Sequence, residues 1–383
     1  MVRRVFKGLV KERLSLYPAV ALVGARQAGK TTLAKSFENA FYFDMEKTED
    51  RLKLDLSWKE IIRQNRLIIL DEAQMYPELF PMLRAAIDER RKKMNRFLLL
   101  GSVSVSLMKE VSESLAGRLG ICELTPFVMT EIPKSKRDLF WLVGGYPDGG
   151  ILNRKHFPVW ENDYLNLIAQ RDLPNLGLSA KPGLLQRLFK MLALRHGQEW
   201  NASELGKSLG LSYHTINDYV EYLQYVYLVR FLQPFHKNFG KRLVKSPKFY
   251  WRNTGLLHAL LGISTYEQLF SYPAVGNSFE GMVIEQILSY LNLYELSYEA
   301  YFLRTSDQYE IDLVLNMKND LWAIEIKLTS SPRDSDFRRL DVSADMIKAS
   351  KRIIISRTDK TFEAGNRIST HLAGFLKLLK FEL

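Results

Sequence analysis

The sequence lacks most features of secreted, membrane and metal-stabilised proteins. Cys122 is the only cysteine among 383 residues, so no internal disulfide can form and a reducing cytoplasm is expected. No group of cysteines and histidines has the spacing of a zinc site. No apolar run reaches the roughly 18 residues that span a bilayer, and the basic segment MVRRVFKGLVKERL has no apolar stretch of the kind that a secretory signal needs. These absences predict a cytoplasmic protein with no membrane segment.

The chain also has fewer acidic than basic residues. The chain has 54 Lys and Arg residues against 43 Asp and Glu residues, a formal net charge of +11. Such an excess attracts polyanions, of which DNA is the usual one, although a generally basic proteome would give the same balance. A composition of 46% hydrophobic and 25% charged residues is typical of a globular protein, and the length predicts two or three domains.

A glycine-rich run near the amino terminus predicts a nucleotide site. Residues 19–23 (AVALV) form an apolar strand pattern, residues 24–31 fit G-x-x-x-x-G-K-[ST], and TLAKSF begins a helix. The glycines let backbone amides face the phosphates, and the helix amino terminus adds partial positive charge. Lys30 is expected to reach the β- and γ-phosphates and Thr31 to ligate Mg²⁺. The predicted ATP-binding residues are Gly24, Ala25, Arg26, Gln27, Ala28, Gly29, Lys30, Thr31 and Thr32.

Two further strand patterns end in polar residues. RLIILDEAQ, residues 66–74, predicts that Asp71 holds Mg²⁺ through water and that Glu72 polarises the attacking water as a general base. RFLLLGSVS, residues 96–104, would place Ser102 beside the γ-phosphate as a sensor, or in an ordinary strand-end turn.

With these motifs and LAGRLGICELTPF (residues 115–127), the chain resembles the AAA+ ATPases. It resembles in particular a prokaryotic group with G-x-R-Q-x-G-K-T-T, L-D-E-x-Q and L-x-G-R. The resemblance implies ATP and Mg²⁺ as cofactors, and Arg118 as a finger on the nucleotide of a neighbouring subunit. A guanidinium suits the charge of a transferred phosphoryl group, and a finger in trans requires a homo-oligomer. The alternative is that Arg118 is an ordinary surface arginine.

The middle of the chain predicts a winged helix-turn-helix. In residues 201–235 a short helix stops at Gly210, Ser212 caps a second helix, and an alternating strand follows. The exposed face of the second helix would present Tyr213, His214, Asn217 and Asp218. Such a domain binds DNA or, alternatively, only bridges domains.

A basic segment follows the predicted wing. HKNFGKRLVKSPK, residues 236–248, contains no acid, and its residues suit a phosphate backbone or form a solvated linker. The residues concerned are Lys237, Phe239, Lys241, Arg242, Lys245 and Lys248.

The last third contains carboxylates in unusual positions. In the helical pattern of residues 277–291, Glu280 falls in the middle of the apolar arc, and Glu285 falls outside it. A carboxylate on a core-facing stripe costs free energy unless it is paired or binds a metal. Upstream, residues 248–262 resemble the opening of the carboxyl-terminal domain that accompanies this ATPase group, with Asn253 in place of the usual aspartate. Asparagine can still cap a helix there.

Two strand patterns complete a candidate nuclease site. Residues 308–316 and 320–328 form a predicted hairpin around MKND, in which Asp312 lies beside Glu325 and Lys327 and Glu280 approaches from the helix. Carboxylates with a lysine can bind Mg²⁺ and activate water. The pattern resembles the restriction-endonuclease-like fold of Holliday-junction resolvases; ion pairs on a solvated sheet face are the alternative.

The predicted fold class is α/β with three domains. These are a P-loop AAA+ ATPase core (residues 1–150), a helical lid with a winged helix-turn-helix (151–248), and a restriction-endonuclease-like α/β domain (249–383). The favoured function is an Mg²⁺-dependent ATPase that hydrolyses ATP and couples it to DNA binding or processing. Two alternatives stay open: an ATP-driven protein-interaction switch with an inactive nuclease-like domain, and an ATP-gated DNA endonuclease.

Overall fold

The structure is a computed structural model that describes residues 2, 4–101, 115–235, 245–307 and 309–381. The chain divides into two compact units. The first comprises Met1–Phe127 with Tyr225–Tyr227, and the second comprises Val128–Gln224 with Leu228–Leu383. Each unit has a sheet of its own.

Within the described residues, the first unit contains a five-stranded parallel sheet. Its strands are β1 (Ala19–Val23), β2 (Ala40–Asp44), β3 (Leu67–Asp71), β4 (Phe97–Leu100) and β5 (Leu119–Glu123), in the order β2-β3-β4-β1-β5. Every residue of β1, β3 and β4 is buried, as expected for parallel strands covered on both faces. All strands run in one direction, so β1 and β3 deliver the residues that follow them to the same edge of the sheet.

Helices of the first unit cover this sheet. They are α1 (Phe6–Leu16), α2 (Lys30–Lys35), α3 (Thr48–Ile61) and α4 (Leu79–Glu89). On α4 the buried residues are spaced three and four apart, which is the pattern of an amphipathic helix. They pack with Phe43, Leu54 and Phe97 in one apolar core.

The second unit begins with helices and a small sheet. Its first elements are α5 (Arg137–Val143), α6 (Val159–Leu167), α7 (Pro182–Leu194), β6 (Gln198–Glu199), α8 (Ala202–Leu209), α9 (Tyr213–Tyr225), β7 (Val229–Pro234) and β8 (Lys248–Trp251). Strand β8 pairs antiparallel with both β7 and β6. The turn between α8 and α9 is as expected from sequence: Gly210 is left-handed at φ 68°, and Ser212 Oγ accepts a hydrogen bond from the Thr215 amide at 3.0 Å.

The remaining elements build a mixed sheet. They are α10 (Thr254–Leu260), α11 (Tyr266–Ser271), α12 (Val275–Leu293), β9 (Glu299–Arg304), β10 (Glu310–Met317), β11 (Asp320–Ile326), α13 (Asp334–Ile347), β12 (Lys351–Ser356), β13 (Phe362–Ala364), β14 (Arg367–His371) and α14 (Leu372–Phe381). Strands β9, β10 and β11 are antiparallel neighbours, and β12 and β14 continue the sheet in parallel with β11. The predicted hairpin is present, with Lys318 and Asn319 both left-handed at its turn.

Glu285 and Asn253, two residues considered in the sequence analysis, have defined contacts in the second unit. Glu285 is buried on α12 rather than lying outside the apolar surface, because α12 is covered on nearly all sides and the carboxylate meets Arg230 and Arg252, each at 2.8 Å. Asn253 caps α10 through its Oδ1, which accepts from the Leu256 amide at 3.2 Å.

The strand pairing of the second unit also affects where a domain boundary can lie. Strand β7 pairs with β9, so the described strands of the second unit form one sheet, and the expected boundary after residue 248 falls inside β8. The three-domain division otherwise stays a prediction. Along the described ranges, every helix is too short or too polar to cross a bilayer.

Candidate functional site

The loop after β1 has the backbone of a phosphate cradle. Gly24 has φ 138° and Gly29 has φ 99°, and Gln27 between them is also left-handed at φ 57°. A Cβ at Gly24 would lie 2.2 Å from the carbonyl oxygen of Leu124, so the close approach of the chain after β5 excludes any side chain there. The pattern G-x-x-x-x-G therefore reflects both backbone conformation and packing.

Lys30 is folded back onto this loop. Its Nζ donates to the carbonyls of Gly24 at 2.8 Å and Ala25 at 2.9 Å, and the residue is buried. Burial lowers the pKa of Lys30 to about 8, although the carboxylates of Glu72 and Asp71 act in the opposite direction. The ammonium group is thus close to the amides of the loop and can exchange its carbonyl partners for phosphate oxygens.

Thr31 and Asp71 meet at the edge of the sheet. Thr31 Oγ1 donates to Asp71 Oδ2 at 2.7 Å, and the Tyr42 hydroxyl donates to the same oxygen at 2.6 Å. Burial and the hydrogen bond to Asp71 raise the pKa of Tyr42, so the phenol keeps its proton. A hydroxyl and a carboxylate oxygen are ligands that Mg²⁺ accepts, and these residues fit the ion. Tyr42 was not identified from sequence, because its position depends on the pairing of β2 with β3.

Glu72 directly follows β3 in a left-handed conformation, with φ 48° and ψ 48°. Its carboxylate accepts a hydrogen bond from the side-chain Nε2 of Gln74. A left-handed conformation is uncommon for a residue other than glycine, and backbone strain of this kind recurs at functional sites as well as in turns. The strand thus delivers Asp71 towards Thr31, and the residue after it carries the predicted general base.

Arg4 ties the glycine loop to the segment after β5. Its guanidinium donates to the carbonyls of Ala28 at 2.8 Å and Thr125 at 2.7 Å, and it stacks over the ring of Phe127. The sequence contained no motif for this role, because Arg4 lies 24 positions before one of its partners and 121 before the other.

Arg118, the predicted finger, is paired within its own chain. Its Nε lies 2.8 Å from Asp88 Oδ1 and its Nη2 lies 3.1 Å from Asp88 Oδ2, a two-point contact. This contact lowers the pKa of the Asp88 carboxyl group. Its role on a neighbouring subunit is still a prediction. Ser102, the predicted sensor, lies outside the described residues.

A second cluster of charged residues surrounds Lys248 in the second unit. Lys248 is only 3% exposed, and its Nζ lies 3.0 Å from Glu280 Oε1, 2.9 Å from Glu310 Oε1 and 3.9 Å from Asp312 Oδ1. The expectation that Lys248 belongs to a solvated or DNA-contacting loop is therefore wrong, since β8 directs it into the protein. Glu310 and Lys248 were both missed as members of this cluster.

The other predicted nuclease residues lie in the same neighbourhood. Asp312 Oδ2 accepts from the Ile326 amide at 2.8 Å, and Lys327 Nζ lies 2.9 Å from Glu325 Oε1. Burial raises the pKa of Asp312, and the charges of Glu280 and Glu325 raise it further. Burial also raises the pKa of Glu325, although Lys327 opposes this. The cluster is therefore compact and rich in negative charge.

These carboxylates are not arranged as a ready metal site. Across the part of the chain that the structure describes, no three Asp, Glu, His or Cys side chains are grouped so that they could hold a metal ion. The donor set predicted for Mg²⁺ in the second unit does not fit the ion in this arrangement.

The exposed face of α9 presents the residues expected from sequence. Tyr213, His214, Asn217 and Asp218 are all exposed, while Ile216, Val220 and Leu223 are buried. Asn217 accepts a hydrogen bond from the Trp200 indole at 2.9 Å. Of the basic segment, Lys245 is exposed, whereas Lys237, Phe239, Lys241 and Arg242 lie outside the described residues.

Comparison with protein families divides the chain into three matched regions. Residues 16–133 match the AAA domain, residues 134–267 match a domain of unknown function (DUF8612), and residues 275–374 match another (DUF4143). The first match covers β1 to β5 and all the residues around the glycine loop except Arg4. This region is therefore a P-loop ATPase domain of the AAA type.

The chain also has close relatives among curated proteins. It is 37% identical over 334 residues to the uncharacterised protein Mb2031c of Mycobacterium bovis and, to the same extent, to the uncharacterised protein Rv2008c of Mycobacterium tuberculosis. These alignments cover 86% of this chain and 75% of each relative. Among solved structures, the Walker-type ATPase PABY2304 of Pyrococcus abyssi is similar with a TM-score of 0.47 and 16% identity, over 68% of this chain and 96% of that one.

Proposed function

Since the chain belongs to the same family as these two mycobacterial proteins, we propose that its AAA domain binds ATP with Mg²⁺ and hydrolyses it. The observation that carries the proposal is the hydrogen bond from Thr31 to Asp71. It unites a hydroxyl from the glycine loop and a carboxylate from β3 at one point, beside the buried ammonium of Lys30. This combination supports phosphate binding, because it brings an ammonium group, a hydroxyl and a carboxylate to one loop.

Each residue of the site has its own role in the proposed hydrolysis. Lys30 leaves the carbonyls of Gly24 and Ala25 and donates to the β- and γ-phosphates. Thr31 and Asp71 would hold Mg²⁺, which would supply positive charge to offset that of the phosphates. Glu72 accepts the proton of the attacking water. Arg4 and Tyr42 hold the loop and the carboxylate in place.

Completion of the site requires a second copy of the chain. Arg118 of one subunit would offset charge on the phosphoryl group held by its neighbour, which is the reason for proposing a homo-oligomer. For this to happen the ion pair with Asp88 must open. Asp88 is exposed, so water screens this ion pair and can solvate its carboxylate when the pair opens.

We further propose that ATP turnover is coupled to DNA through a winged helix. The order α7, β6, α8, α9, β7 and β8, with β8 paired to both other strands, supports this. Tyr213, His214 and Asn217 on the exposed face of α9, with the net charge of +11, are suited to DNA. Asp218 on the same face works against phosphate contact.

The experiment measures phosphate release by the full chain with Mg²⁺ and ATP, alone and with single-stranded, duplex or branched DNA. Lys30→Met provides the background rate. Release above this background, stimulated by one form of DNA, is expected. If wild type never exceeds Lys30→Met, the ATPase proposal fails.

A second function is an ATP-driven protein-interaction switch whose nuclease-like domain is inactive. The position of Lys248 inside the carboxylate cluster favours it. A salt titration separates it from the DNA proposal: binding that neutralises several phosphates weakens steeply with salt, whereas the switch predicts no DNA binding even at low salt.

The third function, an ATP-gated endonuclease, rests on the order α12, β9, β10, β11, α13 and β12 and on its likeness to restriction endonucleases. It predicts Mg²⁺-dependent cutting that is lost in Asp312→Asn and Lys327→Ala, while ATP hydrolysis persists.

A further inference from the structure

We infer that Lys248 is the resident cation of the carboxylate cluster formed by Glu280, Glu310, Asp312 and Glu325, and that it excludes divalent cations from that cluster. The inference rests on the second proposed function, in which the nuclease-like domain is inactive. It excludes the Mg²⁺-dependent endonuclease, and it is independent of ATP hydrolysis. In this role the Lys248 side chain, which β8 supplies, neutralises the carboxylates of the cluster and occupies the place of a metal ion.

The contacts of Lys248 are those of a bound ion. An ammonium group has three hydrogens. Two carboxylate oxygens, from Glu280 and Glu310, lie within hydrogen-bond distance at 3.0 and 2.9 Å, and Asp312 follows at 3.9 Å. A charge buried to this degree is stable only when it is compensated. Lys248 therefore depends on these carboxylates, and they depend on it.

Two of the carboxylate oxygens that could bind a metal already accept hydrogen bonds from groups of the protein. Glu280 Oε1 accepts from Lys248 and also from the Tyr250 hydroxyl. Asp312 Oδ2 accepts from the Ile326 amide. A divalent cation at these oxygens would compete with these donors and would lie close to the ammonium group of Lys248, and like charges repel strongly in a protein interior.

The charge balance identifies Lys248 as the decisive cation. Among the described residues of the cluster, Lys327 contacts Glu325, whereas Lys248 contacts the other three carboxylates. Although burial alone would lower the pKa of Lys248, the neighbouring carboxylates outweigh burial and raise it, so the lysine stays charged. Its replacement by an apolar residue would remove the ammonium group that contacts these three carboxylates and open them to an external cation. Among the described lysines, Lys327 would still act on Asp312 through its charge.

A merely structural ion pair makes a different prediction. If Lys248 only tied β8 to the sheet, its removal would lower stability without creating a metal site. The affinity of the cluster for a divalent cation therefore separates the two roles, and a melting curve alone would not.

The test is a titration of the full chain with Mn²⁺, without nucleotide, in which free Mn²⁺ is followed by electron paramagnetic resonance. The samples are wild type, Asp312→Asn, Lys248→Met, the double variant Lys248→Met with Asp312→Asn, and Lys245→Met as a control at an exposed lysine nearby. Circular dichroism establishes that each sample is folded, and ATP hydrolysis is measured on the same samples.

Wild type and Lys245→Met are expected to show no Mn²⁺ binding that depends on Asp312. Lys248→Met is expected to gain one site, at least about tenfold tighter than any wild-type binding, that disappears in the double variant. A folded Lys248→Met with no gain overturns the inference.

Tight, stoichiometric binding by wild type that is lost in Asp312→Asn overturns it as well. The comparison of wild type with Asp312→Asn needs no change at Lys248, so it can still overturn the inference if Lys248→Met does not fold. ATP hydrolysis reports separately on the AAA domain, so failure there leaves the Mn²⁺ result intact.

Discussion

Thr31 and Asp71, 40 positions apart in the chain, share a hydrogen bond of 2.7 Å between Oγ1 and Oδ2. Strand β4 lies between the strands that precede them, yet both side chains reach the same edge because all three strands are parallel. This is the geometric basis for assigning one magnesium-nucleotide site to two separate sequence motifs.

Thr31→Ala is expected to reduce the rate of ATP hydrolysis by about 100-fold, because the variant loses an oxygen that would bind Mg²⁺. Steady-state phosphate release at saturating ATP measures this effect. Tyr42→Phe is the matched control: it removes one hydrogen bond to Asp71 but no metal ligand, and a loss of less than about tenfold is expected. Equal losses in the two variants would contradict the assignment of Thr31.

Lys30 is expected to make ATP binding pH-dependent. Its pKa is about 8 in the absence of nucleotide, so above pH 8 Lys30 is largely neutral. Because the phosphates require the charged ammonium group, ATP binding above pH 8 must be accompanied by protonation of Lys30. Calorimetry in buffers of different ionisation enthalpy should show proton uptake on ATP binding at pH 9 and little at pH 7. Lys30→Arg, which stays charged, should show none at either pH.

The lowered pKa of Lys30 also makes the free energy of unfolding depend on pH. Because the folded-state pKa of Lys30 is lowered from 10.5, the unfolded chain binds the extra proton between about pH 8 and 10.5. This group therefore raises the free energy of unfolding as pH rises through that window.

Contiguous motifs could be predicted from sequence, and so could the approach of Asp312 to Glu325 across a hairpin, whereas contacts that depend on longer-range packing could not. The residues of the glycine loop lie next to one another, and their chemistry follows from local backbone geometry. Tyr42, Arg4 and Asp88 contribute through strand register and tertiary packing, for which no local pattern exists. Lys248 was misjudged because the segment that precedes it in sequence is basic, whereas its neighbours in space are the carboxylates of Glu280 and Glu310.

Arg118→Ala is expected to reduce ATP hydrolysis by about 100-fold or more without weakening ATP binding, because the guanidinium would act only on the transition state in a neighbouring subunit. Asp88→Ala, which frees Arg118 from its ion pair, should retain or raise the rate. The comparison variant is Arg84→Ala, since Arg84 also approaches Asp88 but lies at 3.9 Å. Unchanged hydrolysis in Arg118→Ala at every protein concentration would rule out the finger.

Glu161 is expected to lower stability as pH rises. It is fully buried, and neither carboxylate oxygen meets a hydrogen-bond partner among the side chains and backbone groups that the structure describes. Burial raises its pKa from 4.5 to about 8, although its own backbone and Arg154 act in the opposite direction. Between these values the folded chain keeps a proton that the unfolded chain releases, so the free energy of unfolding falls from pH 4.5 to pH 8.

Glu161→Gln should remove this dependence and be more stable than wild type at pH 8 by about 1–3 kcal/mol. Urea unfolding at pH 5 and pH 8 measures the difference. Asp163→Asn, at an exposed position two residues away, should change neither value. A stability gain for Glu161→Gln that is the same at both pH values would contradict the burial argument.

Calorimetric titration of the full chain with ATP and Mg²⁺ tests the central claim most directly. The account predicts that wild type binds one ATP per chain and that Lys30→Met, folded as judged by circular dichroism, binds at least about 100-fold more weakly. Absence of binding heat for wild type at millimolar ATP, or equal affinity in the two proteins, would contradict it.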